Sequence, residues 1–207
     1  MITEFSFWSP EGVDKAKLKA IIVLTPPSQS DGRGWIHDRD WQRFATTHAC
    51  GLVGCHFVDD DPSGFEGYCD VKNCESGEKL IEYIQNQLYL HTAQIPKFLL
   101  FGFSAGGQFN AEFACAYPDN VKGFVVNKGG VYYTALAPEA TRKIPSLWIL
   151  GEKDADFRKD IIRAICNLNS HAGAREWKLI TDYGVGHEMG VSVEKSMEFF
   201  AGILSTL

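Results

Sequence analysis

The sequence predicts an α/β fold in which a mostly parallel central sheet is flanked by helices. Short apolar runs alternate along the chain with segments whose apolar residues recur at the helical period, and this alternation is typical of parallel strands joined by helices. The chain has 207 residues, of which 45% are hydrophobic and 22% are charged. A chain of this length and composition buries one core, so we expect a single domain over residues 1–207.

Seven apolar runs are candidate strands, because their length and near-continuous apolar character fit parallel strands buried on both faces. They are Glu4–Trp8, Ala20–Thr25, Gly51–Val58, Lys97–Phe103, Val121–Asn127, Ser146–Gly151 and Trp177–Thr181. Each is far shorter than the roughly 20 residues that cross a bilayer. Met1–Pro10 lacks the basic start and the apolar stretch of a signal peptide, so we expect a cytoplasmic protein without a membrane span.

Four segments between and after these strands have the apolar spacing of amphipathic helices. The residues that share one face are Leu80, Ile81, Ile84 and Leu88 within Ser76–Leu90; Phe109, Phe113 and Ala116 within Gly106–Tyr117; Ile161, Ile162, Ile165 and Leu168; and Val193, Met197, Phe200 and Leu204. Pro118 ends the second of these helices, because proline cannot continue a helix. The resulting order is strand, helix, strand, repeated to the C-terminus.

An acidic loop over residues 59–76 is the longest irregular segment in the middle of the chain. Its aromatic residues Phe65 and Tyr68 are candidates for contact with a substrate, and a solvated surface excursion is the alternative. Cys69 and Cys74 bracket a polar part of this loop and can close a small ring, although spacing alone does not decide whether they form a disulfide. We expect most of the six cysteines to be buried thiols.

The charge and the metal-binding residue types limit the possible partners. The formal net charge is -6 and the sequence contains no basic cluster. Nucleic-acid binders present a basic face to phosphates, so we expect no nucleic-acid partner. Ligand-type residues at 37–40 and 59–61 do not have the spacing of a known metal cage, and we expect neither a metal nor a cofactor. The sequence carries no signal for the oligomeric state.

The central motif is Gly102-Phe103-Ser104-Ala105-Gly106. A predicted strand runs into it and a helical pattern begins directly after it, which is the setting of a nucleophile elbow. Small residues at positions 102 and 106 permit the sharp turn that presents Ser104. The positive end of the following helix favours the anion that forms during acyl transfer. The alternative is a glycine-rich turn with an ordinary serine.

A serine nucleophile requires a base, and histidine is the side chain whose titration range suits that role. His187 follows the last predicted strand and has glycines close to it in sequence. Open α/β sheets assemble their sites at this end of the strands. A surface histidine is the alternative at this position, and His37 is the reserve candidate for the base. The remaining histidines lie within predicted strands or helices, or at helix ends.

The third group required is a carboxylate that orients the imidazole and stabilises its charged form. Asp154 follows the predicted strand Ser146–Gly151 in the segment Gly-Glu-Lys-Asp, so it also lies at the exit of a strand. The chain order serine, acid, histidine selects it. Asp156 and Glu152 are the alternatives.

The segments GFSAG, GEKD and GVGHE occur in the order found in the α/β-hydrolase superfamily, and this resemblance covers nearly the whole sequence. Within the superfamily the chain resembles lidless esterases similar to feruloyl esterases and polyhydroxyalkanoate depolymerases. Those enzymes carry an oxyanion loop containing His-Gly where this chain has Leu-Thr-Pro-Pro-Ser-Gln-Ser at 24–30. The resemblance implies a catalytic triad of Ser104, Asp154 and His187.

The resemblance also implies an oxyanion hole with two backbone N–H donors, one of them from the residue after the nucleophile, here Ala105. Pro26 and Pro27 have no N–H, so Ser28 or Gln29 has to supply the second donor. The alternative is a site with one strong donor and a correspondingly feeble turnover.

Only residues 128–145 separate the fifth and sixth predicted strands, which is too short for a substantial cap domain. We therefore expect an open site for a small-molecule or acylated ester whose far end stays in solvent. Tyr132 and Tyr133 would line its rim or pack against the protein. The predicted function is hydrolysis of a carboxylic ester through an acyl-enzyme on Ser104. A thioesterase or peptidase with the same triad, or a non-catalytic ligand-binding protein of this fold, is the alternative, the last favoured by the two prolines.

Overall fold

A computed structural model describes residues 1–59, 66–88 and 95–205 of the chain. The strands in this part are Ile2–Trp8 (β1), Ala20–Thr25 (β2), Cys50–Val58 (β3), Phe98–Phe103 (β4), Val121–Asn127 (β5), Ser146–Gly151 (β6) and Trp177–Asp182 (β7). The helices are Arg39–His48 (α1), Ser76–Leu88 (α2), Ala105–Ala116 (α3), Glu139–Arg142 (α4), Asp156–His171 (α5) and Ser192–Ser205 (α6). The possible substrate contact Phe65 lies outside the described residues.

The seven strands form one sheet in the order β1-β3-β2-β4-β5-β6-β7. Strand β1 pairs antiparallel with β3, and every other neighbouring pair is parallel. The prediction of a mostly parallel sheet is therefore confirmed. The register pairs Phe103 with Asn127 and Gly151 with Asp182. The C-terminal ends of β4, β5, β6 and β7 thus meet at one edge of the sheet.

Helices cover both faces of the sheet. Successive strand residues point to opposite sides, so continuous apolar strands present apolar side chains on both faces. In β4, Phe98 and Leu100 join an apolar cluster under α2, α3 and α5. Leu99 and Phe101 join a second cluster under α1 and α6. Every residue of β4 is buried, so the strand that ends directly before Ser104 is packed from both sides.

Helix α1 has a weak sequence signal, and its bounds were not predicted. Of its ten residues only Trp41 and Ala45 are buried, so its apolar stripe is short. The helix begins where Asp38 accepts hydrogen bonds from the N–H groups of Asp40 and Trp41 (2.9 and 3.0 Å). An aspartate in this position is a favourable helix cap. One of the ligand-type residues at 37–40 therefore has a structural role.

All six cysteines are free, so the disulfide considered between Cys69 and Cys74 does not form. The Cys69 thiol donates to the carbonyl oxygen of Ala105 at 3.4 Å. The Cys74 thiol instead lies 3.5 Å from the Tyr68 carbonyl oxygen and 3.1 Å from the Ser76 hydroxyl. The two thiols are therefore engaged with different parts of the protein.

The connection between β5 and β6 contains the four-residue helix α4 and no cap domain, as its length predicts. Side chains of α3 hold the first part of this connection by accepting hydrogen bonds from its backbone. Gln108 accepts from the Val131 N–H (3.2 Å), and Glu112 accepts from the N–H groups of Tyr133 and Thr134 (2.7 and 2.8 Å). Across residues 1–59, 66–88 and 95–205, no helix combines the length and apolar composition that crossing a membrane requires.

Candidate active site

Ser104 lies in the turn between β4 and α3, with φ 55° and ψ −120°. A positive φ is a strained conformation for a residue with a side chain. The Ser104 N–H donates to the Asn127 carbonyl oxygen on β5 at 2.8 Å. The Ser104 carbonyl oxygen accepts from the N–H groups of Gly107 and Gln108 at 2.9 and 3.2 Å. The turn is therefore held in place by a neighbouring strand and by the first turn of the helix.

Two glycines make room for this turn, as the motif predicts. A Cβ atom at Gly102 would lie 2.1 Å from the Gly106 carbonyl oxygen, and one at Gly106 would lie 2.1 Å from the Thr25 carbonyl oxygen. Both distances are far below van der Waals contact, so any larger residue would displace the backbone. The close contact of Gly106 with Thr25 also brings the start of α3 against the residues that follow β2.

Ser104, His187 and Asp154 form a continuous hydrogen-bonded chain. His187 Nε2 lies 2.9 Å from Ser104 Oγ, and His187 Nδ1 lies 2.9 Å from Asp154 Oδ2. The other Asp154 oxygen accepts from the Ala155 N–H at 2.7 Å. The Asp154 side chain is buried, and that of His187 is partly exposed. In this arrangement the imidazole can accept the serine proton at Nε2 while the carboxylate holds the proton on Nδ1.

The loops that carry Asp154 and His187 are joined by backbone hydrogen bonds. The Lys153 N–H donates to the Val185 carbonyl oxygen at 2.9 Å, and the Glu152 N–H donates to the Asp182 carbonyl oxygen at 3.0 Å. Gly184, at φ 76°, donates its N–H to the Glu152 carboxylate at 2.7 Å. The positive φ favours glycine at this turn. The position of the acid relative to the base is therefore fixed by two backbone hydrogen bonds and by the contact of the Glu152 carboxylate with Gly184.

The alternative acids and bases occupy other positions. Asp156 is exposed and forms an ion pair with Lys159 at 2.9 Å. The Glu152 carboxylate is engaged with the Gly184 N–H. His37 is an exposed residue at the end of the short helix Arg33–His37. None of these three side chains has a hydrogen bond to Ser104 or to His187 among the contacts of the described residues.

The region predicted to form an oxyanion hole lies where α3 meets the loop after β2. Ala105 is the first residue of α3, so its N–H has no partner within the helix. The Ser28 hydroxyl donates to the Glu66 carboxylate. Gln29 has φ 58°, a left-handed conformation. The Ser28 hydroxyl is therefore engaged with Glu66, which leaves the backbone N–H groups of Ser28 and Gln29 as candidate donors from this loop.

Tyr68 does not have the position that the sequence analysis expected. The side chain is 1% exposed, and its ring stacks on Phe57 with centroids 5.2 Å apart. The expected contact with substrate assumed an exposed ring in a surface loop, whereas the ring of Tyr68 is buried in the core. The large apolar area of a tyrosine ring favours such burial.

Tyr132 and Tyr133 differ in their surroundings. The Tyr132 ring packs against Trp148 with centroids 5.7 Å apart, and its hydroxyl is buried. A Cβ atom at Gly129 would lie 2.2 Å from that hydroxyl oxygen, so the glycine makes room for the ring. Tyr133 is 46% exposed. The packing alternative therefore describes Tyr132, and Tyr133 is the exposed residue of the pair.

Cys69 lies next to the nucleophile helix, but its environment disfavours a reactive thiolate. The thiol is buried and contacts the Ala105 carbonyl oxygen. Burial raises the pKa of the Cys69 thiol well above its ordinary value. The thiolate is the nucleophilic form of cysteine, so burial disfavours the reactive form of this residue. In the described part of the chain, no group of three or more histidine, cysteine or acidic side chains is arranged to hold a metal ion.

The sequence patterns do not predict the buried lysine at this edge of the sheet. Lys128 directly follows β5 and has no exposed surface. Its Nζ lies 3.1 Å from Asp182 Oδ2 and 3.1 Å from Asn127 Oδ1. The available sequence signal was a charged residue placed directly after a buried strand and before two glycines, at the end of the sheet where sites assemble.

No protein-family model matches the sequence, and no curated protein matches it. Many solved structures match the fold. A thermostable esterase is 11% identical with a TM-score of 0.70, and the match covers 98% of this chain and 59% of that one. This chain therefore spans less than two thirds of the length of that esterase.

Two further structures match at more similar lengths. The poly(3-hydroxybutyrate) depolymerase LpqC from Bordetella parapertussis is 16% identical with a TM-score of 0.68, over 96% of this chain and 83% of that one. Esterase PE8 is 20% identical with a TM-score of 0.64, over 96% and 99%. The parallel sheet, the turn after β4 and these matches lead to the same conclusion, which is that the chain has the α/β-hydrolase fold.

Proposed function

We propose that this protein is a serine hydrolase that cleaves a carboxylic ester through an acyl-enzyme on Ser104. The observation that carries the proposal is the hydrogen-bonded chain from Ser104 through His187 to Asp154, with both distances at 2.9 Å. Its three members come from three separate strand exits, a convergence that packing alone does not require. The esterase and depolymerase activities of proteins with this fold support the choice of reaction.

In the proposed first step, Ser104 Oγ attacks the ester carbonyl carbon while His187 Nε2 takes the hydroxyl proton. Asp154 keeps the imidazole oriented and stabilises its positive charge. The imidazolium then gives the proton to the departing alcohol oxygen, which leaves an acyl group on Ser104. A water molecule that is deprotonated by the same imidazole releases the acid and restores the serine.

The negative oxygen of the tetrahedral intermediate requires hydrogen-bond donors. We assign the first to the Ala105 N–H, which lies at the start of α3 where the helix dipole favours an anion. We assign the second to the backbone N–H of Ser28 or Gln29, since the two preceding prolines have none. Loss of one such donor typically lowers kcat about 10²- to 10³-fold, so turnover depends on this second donor.

The proposed substrate is an ester whose far end remains in solvent, because the connection between β5 and β6 carries no cap domain. An acylated sugar, a peptide-like or polymeric ester and a thioester all satisfy this condition. A panel of p-nitrophenyl esters of increasing acyl length, assayed beside acyl thioesters and peptides, ranks these classes by kcat/KM.

The test of the nucleophile is labelling with a fluorophosphonate probe, followed by measurement of the intact mass of the full chain. We expect one adduct on the wild-type protein and none on Ser104→Ala. Ser205→Ala, an exposed serine at the end of α6, is the matched control and should label as the wild type does. A wild-type protein that remains unlabelled would contradict the proposal and favour a non-catalytic ligand-binding protein.

A further inference from the structure

Lys128 and Asp182 form an ion pair that is withdrawn from solvent. The side chain of Lys128 is fully buried and that of Asp182 is 5% exposed, with Nζ and Oδ2 3.1 Å apart. Removing two charges from water is costly, and apolar side chains of similar volume often stabilise a fold equally well. Stability alone therefore gives little reason to place a lysine here, so the contacts of the pair have to explain it.

The lysine and its neighbour contact the segments that lead into Ser104 and Asp154. The Asn127 carbonyl oxygen accepts the Ser104 N–H, and Asn127 Oδ1 accepts from Lys128 Nζ. The Lys128 N–H donates to the Ile149 carbonyl oxygen on β6 at 2.9 Å. Ile149 lies three residues before the loop that carries Asp154 begins. Lys128 has φ 53°, a conformation that favours glycine, so a side chain at this position carries a cost in backbone strain.

The pair also contacts both ends of the segment that carries His187. Asp182 is the last residue of β7, and a Cβ atom at Gly190 would lie 2.0 Å from its Oδ2. The carboxylate thus packs directly against the far end of the loop. On the same side, Asn127 Nδ2 donates to the Ser192 hydroxyl at the start of α6 (2.6 Å). The loop of residues 183–191 is therefore held at its beginning and its end by groups bonded to one ammonium.

The stem of the lysine lies beneath the backbone that presents the base. A Cβ atom at Gly151 would lie 2.3 Å from the Gly186 carbonyl oxygen and 3.0 Å from Lys128 Cε. The lysine stem and the residue before His187 therefore pack on the same glycine. A change in the position of the ammonium would move this glycine contact and the imidazole with it, because the three segments are in direct contact.

From these contacts we infer that Lys128 is a positioning residue, whose ion pair with Asp182 fixes the His187 loop relative to the Ser104 turn. The inference rests on the proposed function, since it assigns a role in aligning His187 with Ser104. Lys128 itself does not touch the reacting atoms. Misplacement of a catalytic group by about 1 Å costs about 10²-fold in rate, so removal of the pair should lower kcat by about that factor and leave KM within about twofold.

The test compares two variants by kcat and KM on a soluble p-nitrophenyl ester. Lys128→Met removes the ammonium and leaves a buried carboxylate unpaired. The double variant Lys128→Met with Asp182→Leu replaces the whole pair by apolar groups, a change that commonly preserves folding. We expect the double variant to unfold cooperatively as the wild type does and yet to lose about 10²-fold in kcat. If Lys128→Met does not fold, the folded double variant still tests the inference.

A destabilised variant at a residue outside the hydrogen-bonded site is the matched control. Leu80→Ala on α2 removes a fully buried side chain from the apolar core, so its loss of stability should not lower kcat at temperatures where it stays folded. A folded double variant with wild-type kcat would overturn the inference, as would a loss of kcat in Leu80→Ala equal to that of the double variant. Absence of fluorophosphonate labelling in the wild type would instead overturn the proposed function, so the two failures are distinguishable.

Discussion

Asp154 differs from the other carboxylates in its loop through its immediate surroundings. Its side chain is 3% exposed and its two oxygens accept from the Ala155 N–H and face His187 Nδ1. Asp156, two residues later, is 92% exposed on its side chain and pairs with Lys159. Residue type and proximity in sequence do not separate these aspartates, whereas burial and hydrogen bonding do.

Asp154→Asn should lower kcat about 10⁴-fold, because an amide holds the imidazole in the wrong tautomer while keeping the volume of the side chain. Asp156→Asn is the matched control, and its kcat should stay within about twofold of wild type. Steady-state hydrolysis of a soluble ester by both purified variants measures the difference. Equal losses in the two variants would count against the assignment of Asp154 as the triad acid.

At the scale of elements, Glu112 connects helix α3 to the segment between β5 and β6. The side chain is 2% exposed, and its carboxylate accepts the N–H groups of Tyr133 and Thr134 together with the Thr134 hydroxyl (2.7 Å). Buried donors that lose their acceptor have to be desolvated without compensation. Glu112 therefore holds Tyr133 and Thr134 in place, beside the contact that Gln108 makes with Val131.

Glu112→Ala should lower the free energy of unfolding by about 3 kcal/mol, because three donors lose a charged acceptor. Glu112→Gln retains an amide oxygen for the two N–H groups and should lose less. Urea-induced unfolding measures both, and Glu78→Ala at an exposed position of α2 is the control. A loss in Glu112→Ala no larger than in the control would show that solvent replaces the carboxylate.

The strands were predictable because burial on both faces produces continuous apolar runs. The bounds predicted for β2, β5 and β6 are those observed, and the other strands differ by one or two residues at an end. Helix α1 was not delimited, because it buries only two residues and its clearest signal is the capping Asp38. Apolar patterns indicate buried elements. A helix that buries few residues is indicated mainly by the type of its capping residue, here Asp38.

At the scale of the whole molecule, the candidate site combines features that differ in how well the sequence predicts them. Ser104, Asp154 and His187 are candidates from the sequence because each lies at or shortly after the end of a strand in the required order, although that order does not separate Asp154 from Asp156. Burial of Tyr68 could not be predicted, because nothing in the local sequence indicates that this ring packs in the core. The Lys128 pair joins residues 54 positions apart, a contact that only the assembled sheet produces.

The state of the thiols follows from burial over the whole molecule. Burial raises the pKa of Cys50 to about 11 and those of Cys115 and Cys166 to about 12. The pKa values of Cys55 and Cys69 are also raised by burial. Thiol reagents attack the thiolate, so these five residues should be unreactive in the folded protein at pH 8.

Titration with a chromogenic disulfide reagent at pH 8 should therefore detect one thiol in the native protein, at the partly exposed Cys74, and six in urea. Cys74→Ser should remove the native reaction and leave five thiols in urea. Detection of only four thiols in unfolded wild-type protein would contradict the finding that Cys69 and Cys74 are both reduced.

The hydrogen bonds that hold the β5–β6 connection affect how a ligand would bind at this edge of the sheet. Gln108 and Glu112 hold residues 131–134, and Asn169 on α5 exchanges hydrogen bonds with the backbone of Ala135 and Ala137. The entropic cost of ordering residues 131–137 is met when the chain folds, so it does not reduce the binding free energy of a ligand. A ligand that fits the shape of this segment would therefore bind without a rearrangement of its backbone, and such a rearrangement would not limit the association rate.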